Sequence, residues 1–257
     1  MIRLGKEEPF IKAKGLEFGY EQNSNIKLPK VAIGVFSKQL FNDIIQKFNC
    51  EEIGRIHNVN FDKKVYLLKY KDQVFSFFIA GVGGPVIAMD IELLHAQGVE
   101  KIIIFGNCGV LDSNIKDCSI VIPNLAYREE GTSYHYVQDN DTIEVNPKYK
   151  EEFAELLKEY KFDYIIGSTW TTDAFFRETL DKIRYFKSLN VKVVDMESAS
   201  IAAVCKYLGM DYFTFYYAGD NLDGVEWDVR SFEESSNLDK KKEVAFLALE
   251  LAVKINN

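Results

Sequence analysis

The chain has 257 residues, a mass of 29.5 kDa and 47% hydrophobic residues, enough to bury a large core in one sizeable domain or two small ones. Its formal net charge of −8 and pI near 5.1 argue against a nucleic-acid binder, because clustered Lys and Arg bind phosphate backbones. The four cysteines form no C-x-x-C pair, so neither a zinc cluster nor a disulfide framework is indicated, and a reduced, cytoplasmic setting fits.

The N-terminal residues are not expected to act as an ordinary secretion signal. Residues 1–9 mix charges and lack the apolar stretch of a secretion signal, and the most apolar window, residues 74–89, is too short to cross a bilayer. Residues 1–30 have few periodic apolar positions and predict an irregular N-terminal arm. No repeat or linker divides residues 31–257, so they are predicted to form a single domain without a membrane partner.

From residue 31 onward, strands and helices alternate. Short runs rich in β-branched and aromatic residues predict strands at residues 31–36, 65–70, 74–79, 101–105, 119–126, 164–169, 191–194 and 211–217. Apolar positions at helical spacing predict helices at residues 40–48, 85–97, 147–160, 178–189, 199–208 and 244–251. Gly106 is expected to end the strand before it. This alternation is typical of an α/β domain.

Acidic residues follow two of these strands. One apolar run ends in Asp195-Met196-Glu197, and the next, after a small-residue helix, ends in Ala218-Gly219-Asp220. If the two strands are parallel, their ends meet at one edge of the sheet, where open α/β sheets bind ligands. The sequence therefore predicts that Glu197 and Asp220 share one ligand site.

Six segments carry a resemblance to a known family: Gly34, GVGGP at 81–85, GNCG at 106–109, EGTSYHY at 130–136, DMESA at 195–199, and Gly219-Asp220. In this order the chain resembles the purine nucleoside phosphorylase and uridine phosphorylase family over roughly residues 30–250. The resemblance implies a three-layer α/β/α fold, with a central mixed, partly barrel-like sheet flanked by helices. It also implies a homo-oligomer, either a dimer or a trimer of dimers.

The same resemblance implies the activity. A phosphorylase of this kind cleaves the N-glycosidic bond of a nucleoside with inorganic phosphate, giving free base and ribose 1-phosphate, without a metal or another cofactor. Bond cleavage places positive charge on the sugar and negative charge on the departing base, so both ends of the substrate need stabilising groups. The expected partners are a nucleoside and phosphate.

The resemblance assigns roles to single residues. Glu197 matches the Glu that binds the ribose hydroxyls, and Asp220 matches the acid that protonates or hydrogen-bonds the leaving base. To donate a proton near neutrality, Asp220 needs a pKa raised by burial or by a neighbouring anion. The remaining predicted substrate-binding residues supply an apolar wall, an aromatic stacking surface and the glycine loop: Met196, Phe175, Asp195, Val82 and Gly83.

The phosphate site departs most from the family pattern. Ile104 stands where the phosphorylases carry an Arg, and Asn107 replaces a Ser or Thr. The remaining predicted phosphate ligands are Gly34 and Lys38, with Lys63 or Lys64 of a neighbouring subunit as supplements. At the base end, Gly219 replaces the Ser that usually precedes the acid.

These departures leave alternatives open. The Gln and Arg with which uridine-cleaving relatives read the pyrimidine are missing after Phe176, so a purine-type substrate is favoured over a uridine-type one. A nucleoside hydrolase would use a Glu shortly after the first-strand glycine, but no acid occupies residues 35–38. The missing Arg also fits a protein that binds a nucleoside without efficient turnover.

Overall fold

The computed structural model describes residues 8–13, 27–57, 62–138, 140–233 and 235–256. Most of the predicted N-terminal arm therefore lies outside the described residues. The arm is described at residues 8–13, where Phe10 and Ile11 are exposed, and at residues 27–30, where Leu28 is buried and its backbone N–H donates to the Gln97 carbonyl at 3.2 Å. That contact anchors the entry to the first strand beside the end of a helix.

The described chain alternates strands and helices. The strands are β1 (Val31–Val35), β2 (Glu51–His57), β3 (Asp62–Tyr70), β4 (Gln73–Ile79), β5 (Lys101–Val110), β6 (Ile120–Glu129), β7 (Thr142–Glu144), β8 (Tyr164–Thr172), β9 (Val193–Asp195) and β10 (Asp211–Asn221). The helices are α1 (Lys38–Lys47), α2 (Gly84–Ala96), α3 (Ser133–Tyr136), α4 (Lys150–Glu159), α5 (Leu180–Ser188), α6 (Ser198–Leu208) and α7 (Leu238–Ile255). A short 3₁₀ helix, Phe175–Arg177, precedes α5.

These strands form one mixed sheet that partly closes on itself. Along one path the order is β10-β6-β8-β9-β5-β1-β4-β3-β2, and β10 also pairs with β5. The strands β5, β10, β6, β8 and β9 therefore form a closed ring, from which β1, β4, β3 and β2 extend as an open sheet. Central strand β5 pairs with β10 along one edge, and with β1 and then β9 along the other.

Helices cover both faces of the sheet, which confirms the predicted α/β/α layers. Side chains along β5 alternate: Ile103 and Phe105 pack with α1, α4 and α7, whereas Ile102 and Ile104 pack with α2 and α6. This alternation follows from the two-residue period of a strand, and both sets are fully buried because each face has its own helical layer. None of the described helices is long and apolar enough to cross a bilayer.

Several predicted boundaries and directions were wrong. Gly106 does not end β5, which continues through the glycine segment to Val110, and β10 likewise continues to Asn221. Strand β9 runs antiparallel to β5 whereas β10 runs parallel to it, so the two strands that carry the acids are not parallel. The connection through α6 joins strands on the two edges of β5, and because they run in opposite directions it is not the parallel crossover that the sequence predicted.

Candidate active site

A cavity of about 550 Å³ opens where β5, β9 and β10 meet. It gathers most of the predicted site residues: Val82, Asn107, Phe175, Asp195, Met196, Glu197 and Asp220. The other lining residues are Phe36, Ser37, Cys108, Gly109, Glu178, Val194, Tyr217, Phe232 and Glu233. Its volume lies within the range of small-molecule sites, so one nucleoside-sized ligand fits.

Gly109 of β5 brings the two acid-bearing strands together. It pairs with Val194 of β9 on one edge and with Asp220 of β10 on the other. A Cβ atom at this position would lie 2.6 Å from a Leu222 methyl group and 2.9 Å from a Val194 methyl group, so a larger residue here would require these side chains to move. The predicted convergence of Glu197 and Asp220 on one cavity is therefore present, although it arises from ring closure.

Glu197 is held at the start of α6. Its side chain is 6% exposed, and its Oε1 accepts a hydrogen bond from the Gly83 backbone N–H at 2.6 Å. Gly83 has φ of 90°, a conformation that favours glycine, so the predicted substrate-binding glycine instead positions this acid. Burial, and then the Asp195 carboxylate, raise the pKa of Glu197 to about 8. Hydroxyl donors from a ligand would stabilise its charged form.

Asp220 lies where β10 is irregular. The pairing with β5 shifts between Ala218 and Asp220, and such a bulge redirects the side chain that follows it. Asp220 is 3% exposed, and its Oδ2 accepts a hydrogen bond from the Trp227 indole N–H at 2.7 Å. Burial raises the pKa of Asp220, whereas the Trp227 hydrogen bond opposes the shift. On balance the pKa of Asp220 lies above its ordinary value, the direction that favours proton donation.

The Asp195 carboxylate accepts its hydrogen bonds from groups of the protein itself. Its Oδ1 accepts from the backbone N–H groups of Glu197 and Ser198 at 2.8 and 2.7 Å, and from Thr171 at 3.2 Å. Its Oδ2 accepts from the Thr169 hydroxyl at 2.5 Å. These bonds satisfy the free N–H groups at the start of α6. Asp195 thus fixes the orientation of Glu197.

Aromatic rings close one end of the cavity. Phe175 stacks on Phe232 with ring centroids 5.7 Å apart, and Trp227 meets Phe232 edge to face at 5.7 Å. At this separation the stacked rings are in contact, so a base must stack on an outer face of the pair. Because the Trp227 indole also donates to Asp220, the rings and the acid lie at the same end of the cavity.

Of the predicted phosphate ligands, only Asn107 lines the cavity. Its side chain packs on Gly219, where a Cβ atom would lie 3.0 Å from the Asn107 Cβ, so the two departures from the family pattern accommodate each other. Gly34 is buried against the Phe78 ring, 2.7 Å from where its Cβ would lie. Lys38 is exposed at the first position of α1 and does not line the cavity.

The cavity wall is acidic. Among the described residues that line it, Glu178, Asp195, Glu197, Asp220 and Glu233 carry carboxylates, and none is a Lys or Arg. Lys63, predicted to reach the phosphate of a neighbour, is instead 7% exposed and donates to Asp90 at 2.5 Å within its own chain. The same Asp90 oxygen accepts a hydrogen bond from the Gly81 backbone N–H at 2.8 Å, so the buried ion pair supports the glycine loop.

The sequence profile described as the Phosphorylase superfamily matches residues 30–251. This chain belongs to the phosphorylase superfamily. The match covers most of the chain, including every strand described above.

Relatives of this superfamily member include DeoD-type purine nucleoside phosphorylases. That of Mycoplasma genitalium is 31% identical, over 74% of this chain and 80% of its own length. That of Buchnera aphidicola is 29% identical, over 60% of this chain and 66% of its own length. Among solved structures, the purine nucleoside phosphorylase of Toxoplasma gondii and the uridine phosphorylase of Vibrio fischeri each match with a TM-score of 0.73. At 18% and 20% identity, over 88% of this chain and 90% and 92% of theirs, they show the fold alone.

Sequence reasoning missed three residues at this site: Glu178, Trp227 and Phe232. Glu178 lies beyond Phe175, at the end of the 3₁₀ helix, and burial raises its pKa to about 8, with Asp220 and Asp195 adding to the shift. Phe232 and Trp227 lie in a segment without regular apolar spacing, so no periodic signal marked them. One clue was available in the sequence: an aromatic residue, Trp227, follows the predicted acid Asp220 by seven residues.

Proposed function

We propose that the chain cleaves the N-glycosidic bond of a purine-type nucleoside, with phosphate as the nucleophile, releasing free base and ribose 1-phosphate. The observation that carries this proposal is the placement of Glu197 and Asp220 on one cavity, both nearly fully buried and both with a raised pKa. The names of the bacterial relatives support the purine assignment.

In this mechanism the two ends of the substrate meet different groups. Glu197 accepts hydrogen bonds from the ribose hydroxyls, with Met196 as the apolar wall beside it, and so holds the sugar as positive charge develops on it. Asp220 donates a proton to the imidazole ring of the purine, which leaves as a neutral base. Phe175 stacks on the base. The Trp227 hydrogen bond keeps Asp220 oriented toward the departing ring.

The polar groups of the cavity bear on the choice of nucleophile. Asn107 and Ser37 offer neutral polar groups to a phosphate, whereas the described wall has five acidic side chains and no Lys or Arg to attract an anion. This acidic wall favours a second candidate function, hydrolysis, in which water attacks the sugar and no anion has to enter. Assembly as a homo-oligomer, which could add a cation from a neighbouring subunit, stays a prediction, as do the cytoplasmic location and the lack of a cofactor.

An assay of base release separates these functions. The purified protein is incubated with adenosine, guanosine, inosine and uridine, each with and without inorganic phosphate, and free base and sugar product are quantified. We expect base release from purine nucleosides, together with ribose 1-phosphate when phosphate is present. If free ribose forms at an equal rate without phosphate, the reaction is hydrolysis rather than phosphorolysis. Release from uridine alone would overturn the purine assignment, and tight binding without release would indicate a nucleoside-binding protein.

A further inference from the structure

A second cavity lies between the C-terminal half of α1 and residues 242–249 of α7. Its volume is about 540 Å³, and it shares no lining residue with the cavity at β5, β9 and β10, which is called the catalytic cavity below. The residues that line the second cavity are Asp43, Ile44, Gln46, Lys47, Phe48, Lys242, Ala245, Phe246 and Leu249. A space of this size accommodates a small molecule, and glycosidic cleavage leaves it unused.

The walls of the second cavity are mainly apolar and are held in position. Three buried side chains form its floor: Ile44, Ala245 and Leu249. Phe48 and Phe246 are half-buried, and both rings meet the Tyr70 ring edge to face, at centroid distances of 5.8 and 6.0 Å. Because the rings are already fixed by these contacts, a ligand gains apolar contact without having to order them.

The rim of the second cavity carries a positive charge that is not neutralised within the described chain. Its three ionisable lining residues are Asp43, Lys47 and Lys242. The Lys242 ammonium lies 3.1 Å from Asp43 Oδ2, a buried oxygen with no hydrogen-bond partner among the described residues, so these two charges offset each other. Lys47 is exposed, and no described carboxylate lies within ion-pair distance of its ammonium group. A ligand with a single negative charge complements Lys47.

The length of the second cavity indicates the apolar part of this ligand. Its α7 wall runs over seven residues, from Lys242 to Leu249, which is about 10 Å at the rise of an α-helix. A narrow apolar floor of this length matches an unbranched acyl chain of medium length. A nucleoside, with polar groups along its whole length, would leave those groups unpaired against Ile44, Ala245 and Leu249.

We propose that the second cavity is a ligand site for a free carboxylate with a medium-length acyl chain, such as octanoate. The chain lies on the floor of the cavity, beside the Phe246 ring. Its carboxylate pairs with Lys47 at the rim, where the stem of the lysine lies along the apolar wall and its ammonium group stays in water. This site is separate from the catalytic cavity, so the inference does not depend on the proposed function.

Isothermal titration calorimetry of the whole chain with octanoate tests the site. We expect one molecule per chain to bind with a Kd at or below about 1 mM, the order that a ligand of this size reaches. Hexanoate, which is shorter by two methylene groups, should bind at least about fivefold more weakly. Octanamide, which has the same chain and no charge, should bind about threefold more weakly, the effect of losing one partly exposed ion pair.

Two variants locate the binding. Ala245→Leu adds apolar volume to the cavity without burying a polar group, so we expect it to keep the wild-type Tm within a few degrees and to abolish octanoate binding. Lys47→Gln removes the charge at the exposed rim, and it should weaken octanoate about threefold and leave octanamide unchanged. Lys69→Gln, at an exposed position on β3, is the matched control and should change neither affinity.

Each of these measurements can contradict the inference. Absence of octanoate binding to the wild type would overturn it, as would binding that a folded Ala245→Leu retains. If Ala245→Leu does not fold, Lys47→Gln decides, because equal octanoate affinity in that variant would show that the charge is not recognised. Displacement of octanoate by guanosine would place the carboxylate in the catalytic cavity and would also overturn a separate site. Failure of glycosidic cleavage would leave every one of these results unchanged.

Discussion

Glu197→Ala is expected to lower kcat/KM for purine nucleosides at least about a hundredfold, the range found when one transition-state contact is removed. The variant loses the carboxylate that accepts the Gly83 N–H at the proposed ribose end of the cavity. Without it the ribose hydroxyls have no charged acceptor as positive charge develops on the sugar. Initial rates of base release measure the effect.

A matched pair of variants separates this role from a structural one. Glu197→Gln keeps the shape of the side chain and an oxygen for the Gly83 N–H, so we expect it to fold like the wild type and still lose most activity, because its neutral amide accepts weaker hydrogen bonds. Glu151→Ala, at an exposed site on α4, should change neither activity nor Tm. Wild-type rates in a well-folded Glu197→Ala would remove Glu197 from the mechanism.

Asp220→Asn is expected to lower turnover of neutral purine nucleosides at least about a hundredfold, the usual contribution of a general acid. The amide keeps the size of the side chain and a carbonyl oxygen for the Trp227 N–H, but it has no proton to give to the base. Because burial raises the pKa of Asp220, the wild type keeps the protonated acid to higher pH than an exposed aspartate would. Its activity should fall as pH rises through that pKa.

The pH profile tests the assignment of the acid. In Asp220→Asn the residual activity should lack the alkaline fall that belongs to Asp220. Glu178, with a pKa of about 8, titrates beside it, so a fall that persists in Asp220→Asn but disappears in Glu178→Gln would transfer the acid role to Glu178. Glu197 also has a pKa of about 8, but its ionisation should raise activity and so adds no alkaline fall. The profile is recorded as kcat/KM against pH for one neutral purine nucleoside.

The elements that place the site were visible in the sequence because they depend on local patterns. The strand runs, the glycine loop and the small-residue helix after Glu197 have short-range signals in hydrophobic period and in turn residues. The order of motifs then indicated the fold family, which the match of residues 30–251 confirms. Glu197 and Asp220 on one cavity follow from the same motifs, although the predicted reason, parallel strands, was wrong.

The rest depends on contacts between distant parts of the chain. Closure of the ring needs Gly109 to pair on both edges, and nothing local distinguishes that glycine from one that ends a strand. The fit of Asn107 against Gly219 joins two substitutions that looked independent in the sequence. Glu178 could not be recognised because its importance lies in burial near Asp220 and in a wall without a lining cation, both properties of the folded chain.

The most direct test of the account is a crystal structure with a purine C-nucleoside, whose base is joined to the ribose by a carbon–carbon bond that the protein cannot cleave. We expect the 2′- and 3′-hydroxyls within about 3.2 Å of the Glu197 carboxylate, a hydrogen-bonding distance, and the base stacked on Phe175 with its five-membered ring toward Asp220. A nucleoside bound outside this cavity, or with its ribose at Asp220 and its base at Glu197, would contradict the account.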